Sequence, residues 1–181
     1  MKYGEVTMGQ TEAVINRMGG FANWVRFAGG QGKIVFDAIL TLLRNVKITV
    51  QPAITTSKEY FEEAGVKWTN NVFMSKFYGL KVGESAETEL QVSKLEQNSL
   101  DASIITELGD RAEIGVSQFH AFLALHRKYK EWFIFYLRDR DGNLWAVGAY
   151  WSAGRGGWRV SAISVESPSR WPAEGRVVSR N

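Results

Sequence analysis

The chain has 181 residues, of which 45% are hydrophobic and 13% aromatic, and it carries a net charge of +3. A chain of this length and composition can bury a hydrophobic core without covalent cross-links. Cysteine is absent, which excludes disulfides, cysteine-containing zinc sites and thiol nucleophiles. The N-terminus has no apolar signal core, and the most apolar run, residues 34–43, is too short to cross a bilayer. We therefore expect residues 1–181 to form a single cytoplasmic domain with no membrane contact.

Residues 1–32 are predicted to form a short helical segment. Apolar residues between positions 14 and 18 follow helical spacing, and the glycine pair after them ends the helix. Residues 21–28 predict a second short helix. The two helices have the outline of a helix-turn-helix. A helical cap over a sheet edge is favoured, because the second helix offers only Arg26 to a phosphate backbone.

The second quarter of the chain mixes helical and strand patterns. Apolar residues at 35–43 fit a buried helix, and residues 46–50 then alternate as a strand. Residues 59–68 predict a loop or a short strand, residues 72–78 a short helix, and residues 88–95 a strand.

Two helices are predicted in the middle of the chain. Ser99 is expected to cap a helix that runs through Leu108 and stops before a glycine. Ser117 is expected to begin a longer helix that ends near Lys130, where basic side chains suit the negative end of the helix dipole.

The clearest pattern is a C-terminal β-meander over residues 132–181. The Asp141-Gly142 pair is a strong hairpin signal between apolar runs, and a glycine-rich segment marks the next turn. The predicted strands are Trp132 to Arg138, Leu144 to Trp151, Trp158 to Val165, and a final edge strand from Arg176 to Arg180. The predicted fold class is α+β: N-terminal and central helices packed on a mainly antiparallel sheet, with a C-terminal three- to four-stranded meander.

Four segments of the chain carry a resemblance to other proteins. They are TMGQTEAVINRMGG (7–20), SLDASIITELG (99–109), RDRDGNLWAV (138–147) and GWRVSAISVESPSRWPAEGRVVSRN (157–181). These segments resemble an uncharacterised family of bacterial hypothetical proteins. Because they are spread over most of the chain, the resemblance implies one integrated domain. The family has no established activity, cofactor or catalytic residue, so the resemblance implies no function.

Two turns have some features of ligand-binding loops but lack the groups that define them. Asp139 to Asn143 begins like a calcium loop, yet position 12 of such a loop falls on Tyr150 rather than on a glutamate. The glycine-rich Ala153 to Gly157 lacks the lysine of a phosphate loop and leads into a strand. We predict no metal, no cofactor and no catalytic residue.

The two histidines are candidates for chemistry only as an alternative. His120 and His126 lie on one predicted helix, about 240° apart around its axis, so they cannot bind one metal together. His126 shares an apolar face with Phe119 and Phe122, which favours a packed histidine. A hydrolase or transferase with a histidine-based site would need a carboxylate and a hydroxyl within reach.

Tryptophan and arginine are concentrated in the C-terminal third. Five of the seven tryptophans and eight arginines lie at or after Arg127. Exposed indole and guanidinium groups stack bases or sugars and bind phosphates. The leading hypothesis is therefore a non-catalytic binding module with an Arg/Trp-rich β surface, and nucleic acid or another anionic ligand is the expected partner. The candidate ligand-binding residues are Arg138, Arg140, Trp145, Trp151, Arg155, Trp158 and Arg159.

Two other interpretations stay open. Strand 144–151 is apolar on both faces, so some of its tryptophans can belong to the core. The local charge is +1 over residues 1–32, −3 over residues 33–125 and +5 over residues 126–181, and such a dipolar chain can pair head to tail. A self-assembling homo-oligomer, with its basic end against the acidic patch near Glu84 to Glu113, is the structural alternative.

Overall fold

The computed structural model describes residues 38–127 and 129–181, and Ala38–Asn181 forms one compact unit. This unit has an α+β fold, in which short helices accompany a mostly antiparallel mixed sheet. The helices predicted within residues 1–32 lie outside the described residues, and the single-domain expectation for the whole chain stays a prediction. None of the described helices has the length and apolarity that crossing a membrane requires.

Nine strands in the described part of the chain form two sheets. Numbered along the chain, they are β1 (Leu40–Ile48), β2 (Ile54–Thr55), β3 (Val66–Thr69), β4 (Lys81–Val82), β5 (Thr88–Leu95), β6 (Trp132–Arg138), β7 (Leu144–Ser152), β8 (Gly157–Ser164) and β9 (Arg176–Arg180). Seven of them form the main sheet in the order β1-β5-β9-β6-β7-β8-β3, and β2 pairs with β4 in a separate ribbon. In the main sheet β9 runs parallel to β6 and β3 runs parallel to β8, whereas the other neighbours are antiparallel.

Four α-helices are present in the described residues: α1 (Lys58–Glu63), α2 (Asn71–Phe77), α3 (Asp101–Leu108) and α4 (Val116–Leu125). The helix predicted at 72–78 is confirmed as α2, and its N-cap is Asn70, whose side chain accepts a hydrogen bond from the Phe73 amide at 2.9 Å. The prediction of a loop or strand over 59–68 is wrong in its first half, which forms α1. Ser57 caps that helix, and two aromatic residues on it are buried in the core, so tertiary packing decides its conformation.

Three other element predictions need correction. Residues 40–43 belong to strand β1 rather than to a buried helix, because their backbone pairs with β5 from Leu40 opposite Leu95 onward. Ser99 does not cap α3; its backbone instead pairs with Trp171. Helix α4 begins at Val116 and ends at Leu125 rather than near Lys130.

The C-terminal meander is confirmed for β6, β7 and β8, which pair antiparallel in sequence order. Its first turn closes through Gly142, whose φ of 82° is favoured by glycine and whose amide donates to the Asp139 carbonyl. Strand β9 is not an edge strand as predicted, because it lies between β5 and β6. Val177 and Val178 are both buried, one on each face, which is the pattern of a central strand.

The main sheet buries its two faces in different ways. On one face, which we call the helical face, side chains of α1, α2 and α4 form the larger core with residues such as Phe133, Val147 and Val160. On the opposite face, α3 and Trp171 pack over a smaller core that includes Tyr136 and belongs mainly to β5, β9 and β6. The residues that stay partly exposed on this second face lie towards β7, β8 and β3.

Candidate functional site

Four side chains form a continuous row across neighbouring strands of the main sheet. Trp132 of β6 stands opposite Tyr150 of β7, Tyr150 stands opposite Arg159 of β8, and Arg159 stands opposite Trp68 of β3. Residues in register on adjacent strands point to the same face of a sheet. We call these four residues the stacking row.

Alternation along the strands fixes the face on which the stacking row lies. The chain neighbours Phe133, Ala149, Trp158 and Val160 are completely buried on the helical face. Row residues next to them therefore point to the opposite face. There, 45% of Trp132 is exposed, and the other three members of the row are partly exposed.

The groups of the stacking row contact one another in sequence. The ring centres of Trp132 and Tyr150 are 5.5 Å apart, with the ring planes tilted by 44°. The Arg159 guanidinium carbon lies 5.7 Å from the centre of the Tyr150 ring and 4.4 Å from that of Trp68. A cation in such a position is attracted by about 0.5–2 kcal/mol to each ring face, depending on its solvation. The row thus presents a cation held between aromatic groups.

Arg159 differs from several other arginines in how its charge is balanced. Arg138 pairs with Glu113 at 2.7 Å, and Arg176 pairs with Glu131 at 3.4 Å. Within the described ranges, no carboxylate oxygen lies within 4.0 Å of the Arg159 guanidinium. Its Nε is buried without a hydrogen-bond partner. The buried Nε is closed to a ligand, so an anionic group would bind the other guanidinium nitrogens of this partly exposed side chain.

One end of the stacking row is built on a glycine. A Cβ at Gly148 would lie 3.0 Å from Trp132 Nε1 and 3.1 Å from Trp171 Cη2. The two indoles meet edge to face, with ring centres 6.1 Å apart. Only a residue without a side chain allows both rings to approach the sheet this closely. Trp171 thereby supports Trp132 from the side.

A buried carboxylate holds Trp171 in place. Asp101 is completely buried at the start of α3, and its Oδ1 accepts hydrogen bonds from Tyr136 Oη at 2.7 Å and Trp171 Nε1 at 2.6 Å. Its Oδ2 is buried and has no hydrogen-bond partner. Burial raises the pKa of Asp101, and the two hydrogen bonds oppose this effect only in part. Burial, with the carboxylate beside it, also raises the pKa of Tyr136.

The two predicted site residues Trp151 and Trp158 lie away from the stacking row. The sequence interpretation placed Trp158 on an exposed surface, whereas the residue is completely buried and its Nε1 donates to the Leu123 carbonyl at 3.0 Å. Trp151 is partly buried and packs edge to face against Trp158 at the border of the larger core, with ring centres 5.5 Å apart. Both indoles lie on the helical face because alternation along the strands directs them there.

The predicted site residue Trp145 lies at the β6–β7 hairpin. Its Nε1 donates to Asp139 Oδ2 at 2.9 Å, and Lys76 Nζ lies 5.1 Å from its ring centre. Although burial alone would raise it, the pKa of Asp139 is held well below its usual range by hydrogen bonds from Asn143, Trp145, Lys76 and Asp141. Trp145 and Asp139 therefore stabilise the hairpin.

The remaining predicted arginines do not converge. Arg138 is paired with Glu113, and Arg140 donates to the Tyr78 carbonyl at 2.8 Å. Arg155 is exposed in the 3-10 turn Ala153–Arg155 that precedes β8. Of the seven predicted site residues, Arg159 alone belongs to the stacking row.

Sequence reasoning missed the three aromatic members of the row. The sequence places Trp132 and Tyr150 on predicted strands, and strand alternation directs Tyr150 and Trp151 to opposite faces. The candidates Trp145 and Trp151 lie on the helical face, because β7 is apolar on both sides and alternation alone does not show which side the helices cover. Trp68 gave no local signal, since its place in the row depends on the pairing of β3 with β8, some 90 residues later in the chain.

The two histidines occupy separate environments. His120 stacks on Tyr60 with ring centres 3.9 Å apart, and His126 stacks on Phe122 with its Nδ1 2.8 Å from the Phe122 carbonyl. His126 is buried, as predicted. Burial lowers the pKa of both rings. In the part of the chain that the structure describes, neither histidine hydrogen-bonds to a carboxylate.

Comparison of the chain with protein-family models, with curated proteins and with solved structures finds no match. Among residues 38–127 and 129–181, no three carboxylate or imidazole groups come together as a metal site. The groups of the stacking row suit two kinds of contact. Its aromatic side chains can stack on a flat ring, and the Arg159 guanidinium, which has no carboxylate near it among the described residues, can bind a negative group.

Proposed function

We propose that this protein is a non-catalytic binding module that holds a ring-bearing anionic ligand on the stacking row. One observation carries the proposal. Arg159 stands in register between Tyr150 and Trp68, with no carboxylate near it in the described chain. A chain that places a cation between two partly exposed rings without supplying a counter-charge leaves both interactions to a ligand.

The two kinds of group select a ligand that has both a ring and a charge. A base stacked on an aromatic side chain contributes about 1–3 kcal/mol where this has been measured. A hydrogen bond to a charged group contributes about 1.5–3 kcal/mol when it is shielded from water. A neutral sugar would use the rings and leave Arg159 without a partner, and a simple anion would leave the rings unused. A nucleotide uses both.

The direct test is a titration with adenosine 5′-monophosphate and with adenosine, followed by the NMR signals of the tryptophan indole N–H groups. We expect the signals of Trp132 and Trp68 to move, and the monophosphate to bind about fivefold or more tightly than the nucleoside, since a partly exposed charge contact contributes about 1 kcal/mol. Arg159→Gln should remove that difference.

A matched control is Arg138→Gln, because Arg138 is exposed and already paired with Glu113. This variant should bind both compounds like the parent protein. Unmoved signals of Trp132 and Trp68 at saturating nucleotide would refute the proposal. So would an Arg159→Gln variant that still prefers the monophosphate. Light scattering on the same samples checks the homo-oligomer alternative, which predicts a mass that rises with concentration.

A further inference from the structure

We infer that the ligand class is single-stranded nucleic acid, lying across β6, β7, β8 and β3 with its phosphates towards the β8–β3 end of the row. This inference rests on the proposed function and names the polymer that the site would take. It follows from the length of the row, from a second cation on the same face, and from the exposure of the aromatic residues.

The stacking row is longer than one nucleotide requires. It crosses four adjacent strands, and at the usual strand spacing this is about 14 Å. The row has three aromatic rings, two at the β6–β7 end and one at the β3 end, with Arg159 between Tyr150 and Trp68. A single base can cover only part of this length. A ligand that repeats both its ring and its charge can occupy all of it.

A second cation lies on the same face as Arg159. Gly157 and Arg159 are two residues apart on β8, so the position of a Cβ at Gly157 points to the face of the stacking row. That position is occupied by Lys67, whose Cγ would lie only 2.2 Å from such a Cβ. The stem of the exposed Lys67 side chain therefore lies over Gly157, two residues along β8 from Arg159. Two cations along one strand direction match a ligand with successive phosphates.

The cations at this end lack acidic partners. Lys67 and Arg155 are exposed, and like Arg159 they take part in none of the ion pairs between described residues. Trp132 and Tyr150, at the other end, provide ring surface. The cations thus lie at the β8–β3 end of the row, beside Trp68, and the other two rings lie at the β6–β7 end. A backbone that carries one charge per ring complements this arrangement.

The exposure of the aromatic residues favours a single strand over a duplex. Trp132 offers its ring on a sheet surface, 45% exposed, and Tyr150 and Trp68 lie beside it in the row. Bases inside a duplex are stacked on one another and cannot reach such rings, whereas unpaired bases can. Stacking of this kind tolerates every base, so we expect little sequence preference.

The test uses the full chain and fluorescently labelled oligo-dT of 2, 4, 8 and 12 nucleotides, with a 12-base-pair duplex and unlabelled polyphosphate as comparisons. Binding is measured by fluorescence anisotropy. We expect affinity to rise steeply up to about 4 nucleotides, and the single strand to bind at least tenfold more tightly than the duplex. With Arg159 and Lys67 engaged, log affinity should fall against log salt with a slope of about −1.4.

Four variants separate the contributions. Trp132→Ala and Trp68→Ala should each weaken oligo-dT binding about tenfold. Arg159→Gln and Lys67→Gln should each reduce the salt slope by about 0.7. Trp68→Phe keeps a ring and should keep most of the affinity, which guards against a Trp68→Ala variant that fails to fold. Arg138→Gln is the control with unchanged affinity and slope.

Each contrary result has its own meaning. Oligomers that bind no more tightly than a mononucleotide would overturn this inference and leave the proposed function standing. Polyphosphate that competes as well as oligo-dT would overturn the inference too, because it carries charge without rings. Duplex that binds as tightly as the single strand would do the same. If neither mononucleotide nor oligomer moves the row indoles, the proposed function fails as well.

Discussion

Two buried aspartates each hold a tryptophan indole, one in the β6–β7 hairpin and one beside the stacking row, and they differ in what surrounds them. Asp139 accepts hydrogen bonds from Trp145 Nε1 and two backbone amides, and a lysine ammonium lies 3.2 Å away. Asp101 accepts from Trp171 Nε1 and Tyr136 Oη only, and its second oxygen has no partner. At the hairpin, the aspartate is paired with a lysine. Beside the stacking row, neither Asp101 nor Arg159 takes part in an ion pair between described residues.

This difference explains why similar residues take different roles in the two regions. At the hairpin, Arg138 and Trp145 are used by Glu113 and Asp139, so they stabilise the fold. In the stacking row, Arg159 has rings around it but no carboxylate within reach in the described chain. Under the proposed function, the arginine and the rings of the stacking row bind a ligand because the described chain does not supply their partners.

The largest expected effect comes from breaking the hairpin region. Asp139→Ala should lower the free energy of unfolding by about 3–5 kcal/mol, because Trp145 Nε1 and the amides of Asp141 and Asn143 lose a charged acceptor and Lys76 loses the nearer of its two carboxylates. Urea unfolding at neutral pH measures the loss. Asp139→Asn, which keeps one acceptor oxygen, should lose less. A decrease in the free energy of unfolding of less than about 1 kcal/mol, the contribution of an exposed ion pair, would contradict the structural role of Asp139.

A smaller loss is expected at the other aspartate. Asp101→Ala should lower the free energy of unfolding by about 2–4 kcal/mol, since Tyr136 Oη and Trp171 Nε1 would both be buried without an acceptor. Asp101→Asn keeps that acceptor and removes the charge, so it should be much closer to the parent protein. The indole N–H signal of Trp171 reports whether the ring stays in place.

The two aspartates should give opposite pH dependences. The pKa of Asp139 is lowered on folding, so its contribution is present above the unfolded pKa of about 3.9 and is lost as the pH falls through the folded value. The pKa of Asp101 is raised, so the folded protein loses stability as the pH rises through that value. Between pH 3 and 7, the difference in free energy of unfolding between the parent protein and Asp101→Asn should increase as the pH rises. For Asp139→Asn, the same difference should decrease as the pH falls.

A substitution at Gly148, the glycine on which Trp132 and Trp171 pack, should have a moderate effect. Gly148→Ala should cost about 1–3 kcal/mol by overpacking, and should displace Trp132, because the new Cβ lies at 3.0 Å from Nε1. Nucleotide binding should weaken in parallel. Gly154→Ala is the matched control, since a Cβ there meets no atom within 4 Å. Equal behaviour of the two variants would show that the close packing at Gly148 is unimportant.

The smallest expected effect is that of Arg138→Gln on stability. Its ion pair with Glu113 is partly exposed, with 48% and 37% of the two side chains accessible. Pairs of this kind contribute about 0–1 kcal/mol and are weakened by salt. Thermal unfolding at low and high salt measures the difference. A loss that persists at high salt would point to the bond from Arg138 to the Gly142 carbonyl instead.

The sequence was most informative where structure is local. The hairpin of β6 and β7 is specified by its Asp141-Gly142 turn and by apolar runs on both sides, so its strands could be placed within a residue. The place of β9 could not be predicted in this way, because it pairs in parallel with β6 and antiparallel with β5 across long sequence separations. Helix α1 was missed because its buried aromatic residues form no clear helical stripe.

The sequence predicted which residue types form the candidate site, but not which individual residues belong to it. The concentration of tryptophan and arginine near the C-terminal end indicated β7 and β8, and one of the residues named from it, Arg159, lies in the stacking row. Alternation could sort the side chains of β7 into two sets, but both sets are apolar, and the packing of α4 against one face decided which set was buried. Trp68 joins the row only through tertiary pairing of β3.

The central place of β9 sets the order in which this sheet can be completed during synthesis. Strand β9 joins the pair β1–β5 to the group β6, β7, β8 and β3. Both of those parts emerge from the ribosome before residues 176–180 do. The two parts can form their own pairings early, but the sheet becomes continuous only when β9 inserts between them. All four residues of the stacking row belong to the part whose strands can pair before β9 is synthesised.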